Sequence, residues 1–96
     1  MKTRSGTENI SEYPNGDWWT GSGSRERTKH VDFKPPFREP PAVMAALSLL
    51  DVSKRDNVRI NVEARNVTKS SFDLHISTWG GTGIASVTAS WIAVGE

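Results

Sequence analysis

The sequence predicts an all-β fold, an antiparallel β-sandwich. Three observations point there. Three segments in the second half, "NVRINVEARNV", "SFDLHISTW" and "IASVTASWIAV", alternate apolar and polar residues with the period of a half-buried strand. Short turn-forming stretches separate them. These strands carry no helical period, and strands joined by turns without intervening helices build sandwiches rather than α/β layers.

The elements follow in chain order. Residues 1–29 are polar and rich in turn formers, with an N-terminal strand and polar loops; residues 30–96 read as the regular sandwich, and the whole is expected to be one domain. Asn15-Gly16 is a turn signal, and Trp18 and Trp19 interrupt the polar run; one of them is expected to pack while the other borders a loop. Gly21 to Ser24, "GSGS", reads as a mobile loop. "HVDF" reads as a short strand. The four prolines of "KPPFREPPAV" forbid helix and central strand. "AVMAALSLLDV" (Ala42 to Val52) is apolar on both alternating faces. Helix is open to it by propensity, but the prolines before it and the strands after it favour a strand buried on both sides. In so small a domain, whose own core is thin, that would mean a contact between subunits.

A hairpin between residues 57–66 and 71–79 keeps the apolar residues on one face. It sets Arg65 opposite Asp73, Glu63 opposite His75, Asn61 opposite Ser77 and Arg59 opposite Trp79. The first two pairs are complementary in charge, as stabilising cross-strand pairs are. His75 is accordingly read as a surface partner of Glu63. The same reasoning pairs 71–79 with 84–93 through a tight turn at Gly80 to Gly83, setting Ile76 against Val87 and Phe72 against Trp91.

That register leaves Trp79 beside Arg59 at the mouth of a glycine-rich turn. Packing explains such a pair as a cation–π contact covering a sheet end. A sugar site explains it as well: a pyranose lays an apolar C–H face on an aromatic ring, and arginine donates fixed hydrogen bonds to hydroxyls. The glycines would admit a ligand close to the backbone.

Other chemistry finds little support. Twelve basic and eleven acidic residues give a net charge of +1, without the basic stripe of a nucleic-acid protein. There is no cysteine, hence no disulfide, thiolate nucleophile or cysteine zinc site. Two isolated histidines, His30 and His75, do not make a metal site. "GSGS" and "GGTG" lack the lysine and the strand–helix context of a phosphate loop. No acid–base pair is evident, so no enzyme and no cofactor are expected. The opening residues lack a signal-peptide apolar run and nothing approaches a membrane span. The expectation is a soluble chain, cytoplasmic or released, or carried on a particle. Asn66-Val67-Thr68 is a glycosylation sequon as well as a turn.

Taken together, "VDFKPPFREPPAVMAALSLLDV", "NVRINVEARNVTKSSFDLHISTW" and "VTASWIAV" resemble, in order, the H-type lectin domain of snail agglutinins and discoidins, from about Val31 to Val94, with an echo of its first strand in "RSG" at Arg4 to Gly6. The resemblance implies a six-stranded antiparallel β-sandwich that assembles as a homotrimer, sometimes stacked as a hexamer. It implies sugar sites between subunits and N-acetylgalactosamine or galactose as the usual ligand. Its strand arginine falls on Arg59 and its stacking tryptophan on Trp79. Its next residue, a histidine, is Gly80 here; its far-side aromatic falls at Ala85; its selecting aspartate is missing from a shorter loop holding Ser22, Ser24, Arg25 and Glu26, with Asp17 earlier in the chain. The expected carbohydrate-binding set is therefore Arg59, Trp79, Gly80, Ser22, Ser24 and Asp17. The partners expected are glycans or glycoconjugates and further copies of the chain. The alternative is a trimeric structural or adhesion module that keeps the sandwich without a working sugar site.

Overall fold

Two three-stranded antiparallel sheets face each other in the computed structural model, which describes all 96 residues. The strands are β1 (Lys2–Ser11), β2 (Arg25–Asp32), β3 (Ala42–Val52), β4 (Asn61–Arg65), β5 (Ser71–Thr78) and β6 (Ile84–Gly95). One sheet has the order β1-β6-β3 and the other β2-β5-β4. A single four-residue helix, α1 (Asp17–Thr20), bridges β1 and β2.

The core lies between the sheets. Phe72, Leu74 and Ile76 point inward from β5, and Ile84, Val87, Ala89 and Ala93 from β6. At one end Phe33 stacks on Phe72 with ring centroids 5.6 Å apart, and Trp91 meets Phe72 edge-on at 5.2 Å. At the other end Trp18, brought inward by α1, is fully buried, while Trp19 lies nearer the surface with its ring edge-on to Tyr13. Gly6 pairs with Trp91 across the β1–β6 ladder. A Cβ at Gly6 would come within 2.9 Å of the indole, so the bare backbone makes room for the ring.

The hairpin of β4 and β5 has the expected register: Asn61 opposite Ser77, Glu63 opposite His75, Arg65 opposite Asp73. The turn between them uses Asn66 at φ 53, with its side-chain amide donating to the Asp73 carboxylate, and the Thr68 hydroxyl accepting from the Ser70 and Ser71 N–H groups. The second expected pairing is overturned. β6 pairs with β1 and β3, not with β5. Phe72 and Trp91 meet across the sandwich rather than along a ladder, so the glycine turn crosses from one sheet to the other. Both arrangements bury the same apolar faces, and the alternation pattern does not distinguish them.

Other expectations are refined. The expected N-terminal strand is β1, while Arg25 to Lys29, expected in a polar loop, begin β2, because edge strands facing water need few apolar residues. β3 is a strand with one face on the core; the other, where Met44 is 72% exposed and Leu49 48%, is the face that the expected contact between subunits would cover. It is an edge strand with no layer of this chain over it. The Arg65–Asp73 pair stands in register without an ion pair. Arg65 Nε instead donates to Glu63 Oε1 at 2.6 Å, and Asp73 accepts from Asn66 and His30.

Candidate functional site

At one end of the β2-β5-β4 sheet, three loops meet around the turn that carries Trp79 and Gly80. Arg25, the first residue of β2, is buried and its guanidinium ties two of them together. It donates to the carbonyls of Gly23 (3.1 Å), Asp17 (2.9 Å) and Gly80 (3.1 Å). Burial, then the nearby Arg55 charge, lowers its pKa from the usual arginine value. The Gly23 N–H donates to the same Gly80 carbonyl at 2.9 Å. Arg55 adds a second staple, from Nε to Gly81 O and from Nη2 to Gly21 O, both 2.9 Å. Asp56 accepts the Gly81 N–H. The loop read as mobile is thus pinned at both ends.

Trp79 stands just beyond the last β5 residue and is 45% exposed. Gly80 has φ 68, a left-handed conformation that favours glycine. A Cβ there would lie 2.8 Å from Arg59 Nη1. Arg59 lies outside the β4 ladder but stays beside the turn: its N–H donates to Thr82 Oγ1 (3.0 Å) and its carbonyl accepts from Thr78 Oγ1 (2.5 Å). Its guanidinium nitrogen is 3.8 Å from the Asp56 carboxylate.

The expected residues therefore divide. Arg59 and Gly80 are adjacent, and Trp79 follows directly from β5. Ser22 and Ser24 flank Gly23, which is hydrogen-bonded to Gly80. Asp17 belongs to a different group. Its carboxylate accepts from Arg27 Nη2 at 2.7 Å, and that bond holds its pKa below the usual value. Arg27 also grips Glu12 through Nε and Nη2 at 2.6 and 2.8 Å and lies 4.8 Å above the Trp18 ring. Glu12 is likewise held low, chiefly by that hydrogen bond, and Arg27 is raised, chiefly by Glu12. Sequence reasoning missed the staples Arg25 and Arg55; each is an arginine placed beside a glycine-rich or turn-forming stretch, where bare carbonyls collect.

The outer face of the same sheet carries two histidines. His75 is buried, with Nε2 2.9 Å from Glu26 Oε2 and Nδ1 4.0 Å from Glu63 Oε1. It is thus not the surface partner of Glu63 that the hairpin alone suggested, because β2 covers its other side. A groove of about 440 Å³ runs beside it, lined by residues of β2, β4 and β5 and by Trp79. Farther along, His30 bridges Asp73 (2.8 Å) and Asp32 (3.2 Å). The Asp73 hydrogen bond raises the His30 pKa, and Asn66 and His30 lower that of Asp73. No group of histidine, cysteine and acidic side chains is arranged to hold a metal ion.

The profile of the H-type lectin domain matches residues 28–94. The chain belongs to the H-type lectin domain family. It is 42% identical over 81 residues to "ATP synthase subunits region ORF 7" of Fuscovulum blasticum, spanning 84% of this chain and 70% of that one. It is 36% identical over 75 residues to a discoidin-1 of Dictyostelium discoideum, covering 77% of this chain and 30% of that protein. The structure of recombinant discoidin II from the same organism superposes with a TM-score of 0.85 at 26% identity, covering 98% of this chain and 36% of discoidin II. The chain thus spans about a third of the discoidins it matches. The H-type lectin domain is a carbohydrate-binding lectin module, and the family match places this chain among such modules. No helix is long and apolar enough to cross a membrane.

Proposed function

We propose that the protein is a non-enzymatic lectin that binds terminal galactose or N-acetylgalactosamine on glycans. Trp79 is the stacking platform. Arg59, Ser22 and Ser24 supply donors and acceptors, Gly80 leaves room for the Arg59 guanidinium over the turn, and Asp17, its carboxylate held by Arg27, is left out of the sugar contacts. One observation carries this reading. A large aromatic ring is left 45% exposed at a turn whose backbone is fixed by two arginines, Arg25 at the start of β2 and Arg55 in the loop between β3 and β4. Rigid support for an exposed apolar ring is what a binding platform requires. Where the family places a histidine, the Arg59 guanidinium fills the space over Gly80, and it can donate in that side chain's place.

The proposal includes assembly as a homotrimer or a hexamer of stacked trimers, from a chain that is cytoplasmic, released or particle-borne and acts on cell-surface glycans. Its support is the uncovered side of the β1-β6-β3 sheet, where Ala42, Met44, Ile92 and Val94 border an apolar hollow of about 150 Å³. Single shallow sugar sites bind weakly, and joining several multiplies strength by about 10²–10⁴ where spacing permits.

A second reading, a structural or adhesion trimer without a sugar site, draws on the Asp17 carboxylate being held by Arg27 and on Ala85 being buried. A glycan array run on the oligomer, with its mass checked by light scattering, decides between them. Signals confined to galactose- or N-acetylgalactosamine-terminated glycans support the lectin. A blank array from a folded oligomer supports the structural module.

A further inference from the structure

We infer that the groove beside His75 is a second sugar subsite, so that the site takes an oligosaccharide with a neutral penultimate residue rather than a single sugar. The inference rests on the lectin reading above and extends it along the sheet.

The groove begins at the exposed ring. Trp79, Ser77 and His75 lie at alternate positions of β5 and its end, so they share the outer face. From Trp79 to His75 the floor runs about 13 Å, at ~3.3 Å per residue, longer than one hexose ring. Glu26 rises from β2 beside Ser77, and Arg65 reaches in from β4. The volume of about 440 Å³ falls within the ~300–1,000 Å³ of ordinary ligand sites.

Its chemistry is mixed in a way that suits hydroxyls. Glu26 uses Oε2 on His75, leaving Oε1 as an acceptor on a side chain that is 70% exposed. Arg65 uses Nε and Nη2 on Glu63, leaving Nη1 as a donor. The Ser24 and Ser77 hydroxyls both line the groove and can serve either role. Each sugar hydroxyl donates and accepts, so a wall offering both matches a neutral sugar. A carboxylated sugar would meet Glu26.

These groups are also held in place. His75 is 5% exposed and hydrogen-bonded to Glu26, which orients that carboxylate, and Glu63 orients the Arg65 guanidinium. His75 Nδ1, on the other side of the ring, is buried without a hydrogen-bond partner, 4.0 Å from Glu63 Oε1.

The test uses calorimetric titration of the intact oligomer. The probes are methyl galactoside and methyl N-acetylgalactosaminide. Each is set against a disaccharide that extends it by one neutral hexose, lactose in the case of galactose. The disaccharide should bind about tenfold more tightly, the worth of one or two net hydrogen bonds. Arg65→Ala and Glu26→Gln should each shrink that advantage while leaving the monosaccharide constant unchanged. A disaccharide carrying glucuronate at the second position should bind more weakly than its neutral counterpart. Equal affinity for mono- and disaccharide, an advantage that survives both substitutions, or a preference for glucuronate would overturn the subsite and leave the lectin reading standing. Failure of every saccharide to bind would overturn both.

Discussion

Replacing Trp79 by alanine removes the platform and little else. The ring is 45% exposed; on a side chain offering ~250 Å² that leaves roughly 110 Å² open to a ligand. A single pyranose covers about half of it. At ~25 cal/mol/Å² the lost contact comes to about 1.4 kcal/mol, or about tenfold in Kd at each site. A surface-immobilised glycan engaged by three sites of a trimer would lose about a thousandfold if the losses compound. Array signal should therefore disappear while calorimetry with free sugar still registers a weakened site. Stability should change by less than about 1 kcal/mol, since β5 ends at Thr78 and the ring lies outside the core cluster. Thermal unfolding and light scattering on the variant check this second half. Trp79→Phe should recover part of the binding. A Trp79→Ala protein with an unaltered array profile and unaltered Kd would refute the platform.

Three other outcomes follow from the packing and the charges. Phe72→Ala empties a fully buried site between Phe33 and Trp91 and should cost about 3–5 kcal/mol, read as a large fall in the urea midpoint. Gly80→Ala places a Cβ against Arg59 at a residue with φ 68; about 1–2 kcal/mol of destabilisation and weaker sugar binding should appear together by thermal melt and titration. His30 has its pKa raised above 6.5, chiefly by Asp73, and Asp73 is lowered below 3.8, chiefly by Asn66 and then His30. The His30 contribution is therefore fully present below about pH 6.5 and is lost as pH rises through its higher folded-state value. The Asp73 contribution is present above its unfolded value and is lost as pH falls through the lower folded one. Stability profiles of His30→Gln against the parent should converge on the alkaline side, and an NMR titration of the His30 ring should report the upward shift.

Much of the fold was legible because strand alternation survives in a thin sandwich. The β4–β5 register followed from keeping Val62, Ala64, Leu74 and Ile76 on one face, and the structure has that register. The partner of β6 was not legible. Val87, Ala89 and Trp91 bury equally well beside β5 or across from it, and only the twist and connection of the glycine turn separate the two. The first two strands were only partly legible, for another reason. Residues of β1 such as Thr3, Ser5, Thr7 and Asn9 face outward from an edge strand, so their segment reads as polar. With only the end of β2 read as strand, in "HVDF", Glu26 could not be seen to lie against His75. Around Trp79, the turn and the neighbouring Arg59 were visible as sequence features. The staples were not, because Arg25 acts on backbone carbonyls, and carbonyls carry no sequence signature.

The two outer faces of the sandwich differ in a way that bears on how such a domain could bind and assemble at once. The β2-β5-β4 face presents ionic and hydroxyl groups across all three strands: Glu26, Thr28 and His30, then Ser77, His75 and Asp73, then Asn61, Glu63 and Arg65. Partners already engage several of these charges within the sheet, and burying them under a second copy would require good partners for the rest. The β1-β6-β3 face presents small hydroxyl groups around a few apolar side chains: Thr7, Asn9, Thr88, Ser90 and Ser48 beside Met44, Leu49 and Ile92. Its polar groups largely satisfy one another, with Asn9 donating to Thr88 and Ser86 and Ser90 donating to Ser48. Such a surface loses little when water leaves it and gains from covering the exposed Met44 and Ile92. A sandwich that binds through one sheet and associates through the other would keep its sugar-facing loops free of the contact between copies, in contrast to the sites between subunits that the family resemblance implies. Substituting Met44 by aspartate should then lower the oligomer mass without altering the affinity of each site for free sugar. If both changed together, the contact would run through the site itself.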